Sequence, residues 1–440
     1  MSNVQSLHPD LPRETKYPFW GIIAVLALNY LSPFISGWLP IVSLAICVVR
    51  VMRYNEKIFA TDYCLLVTTS LLFQTPNGMS LLIYLCLFAD VWYFMRRGIR
   101  AETTVVLVLV LLNYLILRMG IHINEFALCF GQLFLLRILL PAQDARSAER
   151  SVKAFCLGLL LSSAYALVFR NTWQLVSIRG PEAPAFFGSG FIRFYGLFQD
   201  PNYYSMLLIT ALALQVKLKD TKCIGWFSFI LVSLLLIVCG VLTYSKTFFI
   251  MLVLLLCVYL VWQFWNKKVF RSILLALCIV IVGGVLLTAE GSPFAVVLTR
   301  LTSATNLGEL TTGRSDVFVT YFNAITDNLG SAFFGAGLGA DNLGRDPHNL
   351  FLEITYYLGV VGLVLLICYY ASLVRAVGLQ HETVKKQHFL SKYAVLFMVL
   401  VIHVTLHGLT TFPTYASFSL AAMSMLITNH KEEGEPCQSC

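Results

Sequence analysis

Residues 223–265 read CIGWFSFILVSLLLIVCGVLTYSKTFFIMLVLLLCVYLVWQFW, and Lys246 is their only charged residue. Two apolar runs, 223–241 and 247–265, flank a short polar turn, Thr243-Tyr244-Ser245-Lys246. As helices rising about 1.5 Å per residue, each run reaches about 30 Å, the thickness of a bilayer's hydrocarbon core. This stretch therefore reads as a helical hairpin that crosses a membrane twice.

The rest of the chain repeats the pattern. Of 440 residues, 58% are hydrophobic and 12% charged, and the mean hydropathy is +0.77. A soluble domain carries about 25% charged residues. Only helices or closed barrels satisfy their backbone groups in lipid, and the long apolar runs select helices. The expected fold is all-α, a polytopic integral membrane protein of about 12–14 transmembrane helices. Spans read at 18–33, 35–50, 59–75, 79–95, 103–119, 121–140, 152–170, 202–217, 223–241, 247–265, 271–289, 350–374, 391–407 and 410–428. The division of 18–50 into two rests on the break SPFISGWLP.

Lys and Arg set the sides. With the N-terminus in the cytoplasm, 23 basic residues fall inside and 8 outside. Every short inner loop is then basic, as the positive-inside rule requires. The formal charge of +8 is a record of those loops and does not call for nucleic acid. No small-residue cleavage site follows the polar N-terminal stretch, so the first span is expected to stay in the mature protein. The expected location is a bacterial plasma membrane, with both termini cytoplasmic. Residues 1–170 are read as N-terminal spans. Residues 171–440 are read as a catalytic membrane region with external loops 171–201 and 290–349, the second holding short amphipathic helices.

Ten of the twelve cysteines lie in or beside apolar runs, where they act as small hydrophobes. Cys437 and Cys440 form one CxxC near the C-terminus, too little for a metal site.

The external loops carry the chemistry. In FIRFYGLFQDPNYYS, 191–205, Pro201 suits the first turn of a helix and Asp200 its cap. A capped entrance with an interfacial aromatic belt explains those residues; it leaves Arg193 unexplained. In LTYSKTFFI, 242–250, Lys246 is either a snorkelling interfacial lysine or a second cation facing the same outer cavity. In TTGRSDVFVTYFNAITDN, 311–328, Val317, Phe318, Tyr321, Phe322 and Ile325 share one helical face, capped by Thr311 or Thr312. Arg314 in the first turn opposes the helix dipole. It pairs with Asp316, or it joins the free N–H groups in facing an anion. In DPHNLFLEITYYLGVVG, 346–362, His348 stands at the mouth of a span, followed by Asn349 and Glu353. A lone histidine is often structural; this one lies beside acids where three cations converge.

These pieces, in this order, resemble the bacterial O-antigen polymerase and O-antigen ligase superfamily. The residues that carry the resemblance are Arg193/Gly196/Pro201/Asn202, Ser245/Lys246, Gly313/Arg314, and His348/Asn349 with Gly359/Gly362. It covers roughly 190–370. One departure is Lys246, where the family has arginine; a lysine is a point charge without the planar fork.

The resemblance implies glycosyl transfer from a polyprenyl-pyrophosphate-linked oligosaccharide at the outer face of the membrane. It implies His348 as catalytic base, Arg193, Lys246 and Arg314 as pyrophosphate ligands, and Asn202, Asn349 and Glu353 in support. No metal and no cofactor are expected, since the outer loops contain no Asp-x-Asp pair to hold Mg²⁺. The expected partners are the lipid-linked oligosaccharide, membrane lipid and a chain-length regulator. Phe186, Phe187, Phe194 and Tyr195 are expected to stack on sugars or line a lipid entrance. The favoured activity is repeat-unit polymerisation for a surface polysaccharide, whether O-antigen, capsule or exopolysaccharide. Ligation of glycan to lipid A core or another acceptor is the alternative. Transport of a lipid-linked glycan, with Asp90 and His403 as intramembrane candidates, is the competing class.

Overall fold

The computed structural model describes residues 18–97, 111, 114, 123–180, 192–265, 314–337, 340, 343, 347, 349–380, 389–405 and 412–428. These residues form fifteen helices and no β-strand; Gln74 and Ser80 make an isolated bridge. Three helices are long and apolar enough to cross a membrane: Ala145–Val168, Lys246–Phe264 and Leu350–Gly378. Phe19–Ile35, Gly131–Ala142, Trp226–Val241 and Lys392–His403 are shorter apolar helices. Twelve of the fourteen expected spans coincide with a described helix; 271–289 and most of 103–119 lie outside the described residues.

The chain opens with α1 (Phe19–Ile35) and α2 (Leu39–Arg53), divided where SPFISGWLP predicts. Then come α3 (Glu56–Thr68), α4 (Leu81–Arg97), α5 (Ile123–Ala142) and α6 (Ala145–Val168). The third span is shorter than read. It stops at Thr68, because Thr68 and Thr69 turn their hydroxyls back onto the carbonyls of Leu65 and Leu66 and residues 69–80 form tight turns. α3 is buried along nearly its whole length and packs chiefly on α6. A bidentate ion pair ties α2 to α3: Arg50 Nε to Asp62 Oδ2 at 2.7 Å and Nη2 to Oδ1 at 2.9 Å, both residues buried. A carboxylate and guanidinium withdrawn together satisfy each other's hydrogen bonds.

The short α7 (Trp173–Arg179) follows, and then α8 (Pro201–Asp220). α8 is buried from Tyr204 to Gln215 without a break, its Ser205, Thr210 and Gln215 included, so other helices surround it. It is the centre of the second half: α6, α9 (Trp226–Val241), α10 (Lys246–Trp265), α14 (Phe389–Thr405) and α15 (Phe412–Ser424) all pack against it. Lipid tails are as apolar as leucine, so close packing and polar contacts hold such bundles. Gly240 lets α9 approach Phe248 so nearly that a Cβ there would fall inside the ring.

α11 (Arg314–Thr326), α12 (Leu329–Phe334) and α13 (Leu350–Gln380) complete the set. α13 is broken at Gly359, whose φ of 68° and ψ of −179° belong to glycine alone. The carbonyls that the break frees, Tyr356 O and Tyr357 O, accept the N–H groups of Ala336 (2.8 Å) and Gly337 (2.9 Å). Gly335 mirrors it with φ 77°, and the Tyr114 hydroxyl reaches both Phe334 O (2.8 Å) and Leu358 O. Two backbones thus meet without side chains between them.

Candidate functional site

The N-terminus of α8 organises the site. Asp200 caps it as expected, accepting Asn202 N at 2.6 Å, with Pro201 in the first turn. Residues 192–195 cross the turn between α9 and α10, where Phe194 N donates to Leu242 O at 2.9 Å.

Arg193 is held in this crossing by hydrogen bonds to Thr243 and Asn202. Its Nε donates to Thr243 O at 3.1 Å, and Nη2 lies 3.5 Å from Asn202 Oδ1. The same oxygen accepts the Ser245 hydroxyl at 3.0 Å. Two donors on one atom fix it as the amide oxygen and turn Nδ2 the other way. Thr243 Oγ1 gives its proton to Gly240 O at 2.6 Å, accepts Ser245 N at 3.2 Å, and lies 3.2 Å from Ser205 Oγ of α8. Tyr244, between Thr243 and Ser245, has φ 48°. A left-handed tyrosine is strained by about 1–3 kcal/mol and needs surroundings that hold it there; the bonds on either side supply them. Burial pushes the Tyr244 phenol up in pKa, and Arg170 nearby partly offsets that. Lys246 follows as the first residue of α10.

The structure therefore brings Arg193, Asn202 and Ser245 into one network, with Lys246 next along the chain. Arg170, at the end of α6, joins them. Its Nη2 donates to Ile192 O at 3.0 Å, and its guanidinium lies 5.8 Å from the Phe194 ring centre. The sequence reading counted Arg170 among the external cations and gave it no role. Its signal was there, a cation just past the end of an apolar span, but no motif marked it.

The aromatic expectation is corrected. Phe194 and Tyr195 are buried. Phe194 packs edge-on against Tyr204 at 5.6 Å, and the Tyr204 hydroxyl is 2.6 Å from Ser163 Oγ. Phe194 is a packing residue, because its short segment must pass beneath the turn. Gly196 (φ 60°) allows this: a Cβ there would come within 2.7 Å of the Tyr204 ring. Phe186 and Phe187 lie outside the described residues.

The other residues expected in the site belong to α11, α13 and the stretch before α13; α11 and α13 pack together. Arg314 is the first residue of α11; Thr311, Thr312 and Gly313 lie outside the described residues. Tyr321 and Ile325 are buried, and Tyr321 meets Tyr356 of α13 at 4.8 Å. Phe322, expected on that face, is 60% exposed, since its direction on the helix departs from that of Tyr321 and Ile325. Asn349 caps α13: its Oδ1 accepts Leu352 N at 3.0 Å and its carbonyl accepts Glu353 N at 2.9 Å. Glu353 is buried in the first turn. His348 lies outside the described residues, between the described Pro347 and Asn349. Cys437 and Cys440 also lie outside them. Among the described residues no group of three His, Cys, Asp or Glu has the spacing to hold a metal.

Residues 231–367 match the family model of the O-antigen ligase. The match supports the superfamily that the ordered motifs resemble. It spans Ser245, Lys246, Arg314, His348, Asn349, Glu353 and Gly359, and lies within the 190–370 of that resemblance. No curated protein and no solved structure matches this chain. The matched segment supports an O-antigen ligase or polymerase type of activity in a membrane protein. Arg193 and Asn202 fall before it, yet both bond to residues inside it.

Proposed function

We propose that the protein is a repeat-unit polymerase for a surface polysaccharide, transferring a glycan from polyprenyl pyrophosphate to an acceptor sugar hydroxyl at the outer face of a bacterial plasma membrane. The observation that carries this reading is the shared oxygen of Asn202. It holds Arg193 and Ser245 together across two motifs, beside Lys246, in the region of the family match. A guanidinium held in this way is preorganised for an anion, and preorganised charge is the largest common source of transition-state stabilisation.

In this reading Arg193, Lys246 and Arg314 receive the pyrophosphate, and no metal is needed to neutralise it. His348 takes the proton of the acceptor hydroxyl. The hydroxyl oxygen attacks the anomeric carbon in line, the bond from that carbon to the pyrophosphate oxygen breaks, and the configuration inverts. The leaving group departs as polyprenyl pyrophosphate and needs no acid. Asn202 orients Arg193. Asn349 and Glu353 shape the helix entrance next to the base. Residues 171–440 form the catalytic region, with both termini in the cytoplasm, and a chain-length regulator acts on the product.

Deletion of the gene, followed by electrophoresis of lipid-linked and surface glycans, tests the reading. Single repeats alone, reproduced by His348→Ala with protein level unchanged, support the polymerase. Long lipid-linked polymer that fails to reach its acceptor identifies a ligase instead. Repeats held on the cytoplasmic leaflet would replace the enzyme reading with the transporter reading.

A further inference from the structure

α11 has three chemically different sides. At about 100° per residue, Val317, Tyr321 and Ile325 make one side, turned to α13; Tyr321 is fully buried. Asp316, Thr320, Asn323 and Asp327 make a second, and all four are exposed. Asp316 and Asp327 stand about three turns apart on one line. A flank carrying Val319 and Phe322 lies between these sides, 58% and 60% exposed, with only Ser315 and Thr326 beside them. α12 extends the flank: Leu329 and Phe333, one turn apart, and Phe334 are 76%, 54% and 53% exposed.

A helix packed on one side and solvated on another has no use for an apolar flank unless that flank meets a third medium. The neighbouring helix shows what the medium is. Gly335 and Gly359 hold α12 against α13 at the break, where a Cβ on Gly359 would lie 2.2 Å from Phe333 O. Just past the break α13 exposes Val360, Val364 and Ile367, one stripe at i, i+4, i+7. From Gly359 to Gly378 this part of α13 is about 30 Å long, which matches the hydrocarbon core. The break therefore lies at one boundary of a hydrocarbon-length segment, and Phe333 and Phe334 lie at the level of the break, where that exposed apolar stripe begins.

We infer that α11 and α12 are an interfacial anchor and that their partner is the bilayer surface itself. Val319, Phe322, Leu329, Phe333 and Phe334 enter the acyl boundary, while Asp316, Asn323 and Asp327 stay in water. This is the arrangement of helices that lie in a membrane plane. Through the junction at Gly335 and Gly359, the anchor sets the height of the half-helix 350–358, and of the residues before it, relative to the lipid.

The test uses the full chain in phospholipid nanodiscs. Nitroxide labels go on Phe322→Cys, Phe333→Cys, Asn323→Cys and Asp327→Cys, and the signal of the unsubstituted chain is subtracted. All four side chains are exposed, so the fold should tolerate them. Labels at 322 and 333 should collide more with dissolved oxygen than with a water-soluble nickel chelate, and labels at 323 and 327 the reverse. The same preference at all four positions overturns the inference. So does exclusion of both reagents from 322 and 333, which would mean that protein covers the flank.

Discussion

Arg193 donates through Nε to the carbonyl of Thr243 at 3.1 Å, so the guanidinium is aimed by backbone as well as by Asn202. A lysine keeps the charge and loses the fork. Arg193→Lys should leave the protein level unchanged and cut polymer formation. Loss of one charged hydrogen bond is worth about 1.5–3 kcal/mol, or about 10- to 150-fold in kcat/KM. Initial rates with a lipid-linked repeat check this; a rate within twofold of wild type would remove Arg193 from the site.

Asn202 separates geometry from charge. Asn202→Asp retains acceptors for Arg193 and Ser245, so the fold should hold. It also adds a carboxylate where the pyrophosphate is proposed to sit. KM for the lipid-linked donor should rise with kcat much less affected, and Asn202→Ala should lower kcat by loosening Arg193. An unchanged KM in the aspartate variant would place the pyrophosphate elsewhere.

Gly359 admits no side chain. Its φ is 68°, and an added Cβ would meet a backbone carbonyl, not a side chain that can swing away. Gly359→Ala should cost more than the 1–3 kcal/mol of strained backbone alone, and thermal unfolding in detergent should show a lowered Tm and poor recovery. Gly225, at the N-cap of α9 with nothing within 4 Å of its would-be Cβ, is the control; alanine there loses only capping preference and should cost about 0.5–1 kcal/mol.

Asp144 gives a pH signature. It caps α6 in a capping box with Ser147 and pairs with Lys57. Burial alone would raise its carboxyl pKa, but the Lys57 ammonium and the Ser147 N–H and hydroxyl together hold it below the usual carboxylate range. The unfolded chain thus binds the proton more readily. The stabilisation is fully present above the ordinary carboxylate pKa and is lost as pH falls through the depressed value. Asp144→Asn keeps a good cap and loses only the charge, so it should cost under about 1 kcal/mol for this half-exposed pair. Asp144→Ala should cost about 1–2 kcal/mol. The Tm gap between wild type and the asparagine variant should close in acid; a constant gap would mean that the charge contributes nothing.

The parts that could be read from sequence were those written locally. The break at SPFISGWLP, the cap at Asp200 and the hairpin at 242–246 each follow from a few adjacent residues with strong conformational preferences. The meeting of Arg193, Asn202 and Ser245 was expected only in outline, because a shared outer cavity follows from topology whereas a shared oxygen does not. The junction of Gly335 with Gly359 was not legible at all. It is made of backbone pairs between distant segments, and glycines carry no side chain to signal what they face. Phe194 and Tyr195 misled for a related reason: an aromatic in a polar loop looks like a ligand contact until the segment is seen to pass under a turn. Spacing groups Phe322 with Tyr321 and Ile325 on one apolar face, but spacing does not tell which residues of that face pack on protein and which stay exposed.

The junction at the break in α13 also bears on how the chain is made. Residues 335–337 leave the ribosome before 356–359, as synthesis runs from the N-terminus. The amides of Ala336 and Gly337 are therefore already waiting when the carbonyls of Tyr356 and Tyr357 appear. The portion after Gly359 is long and apolar enough to partition into the bilayer unaided. The first half of the helix then has a partner synthesised earlier, and the carbonyls that the break frees find their donors already made.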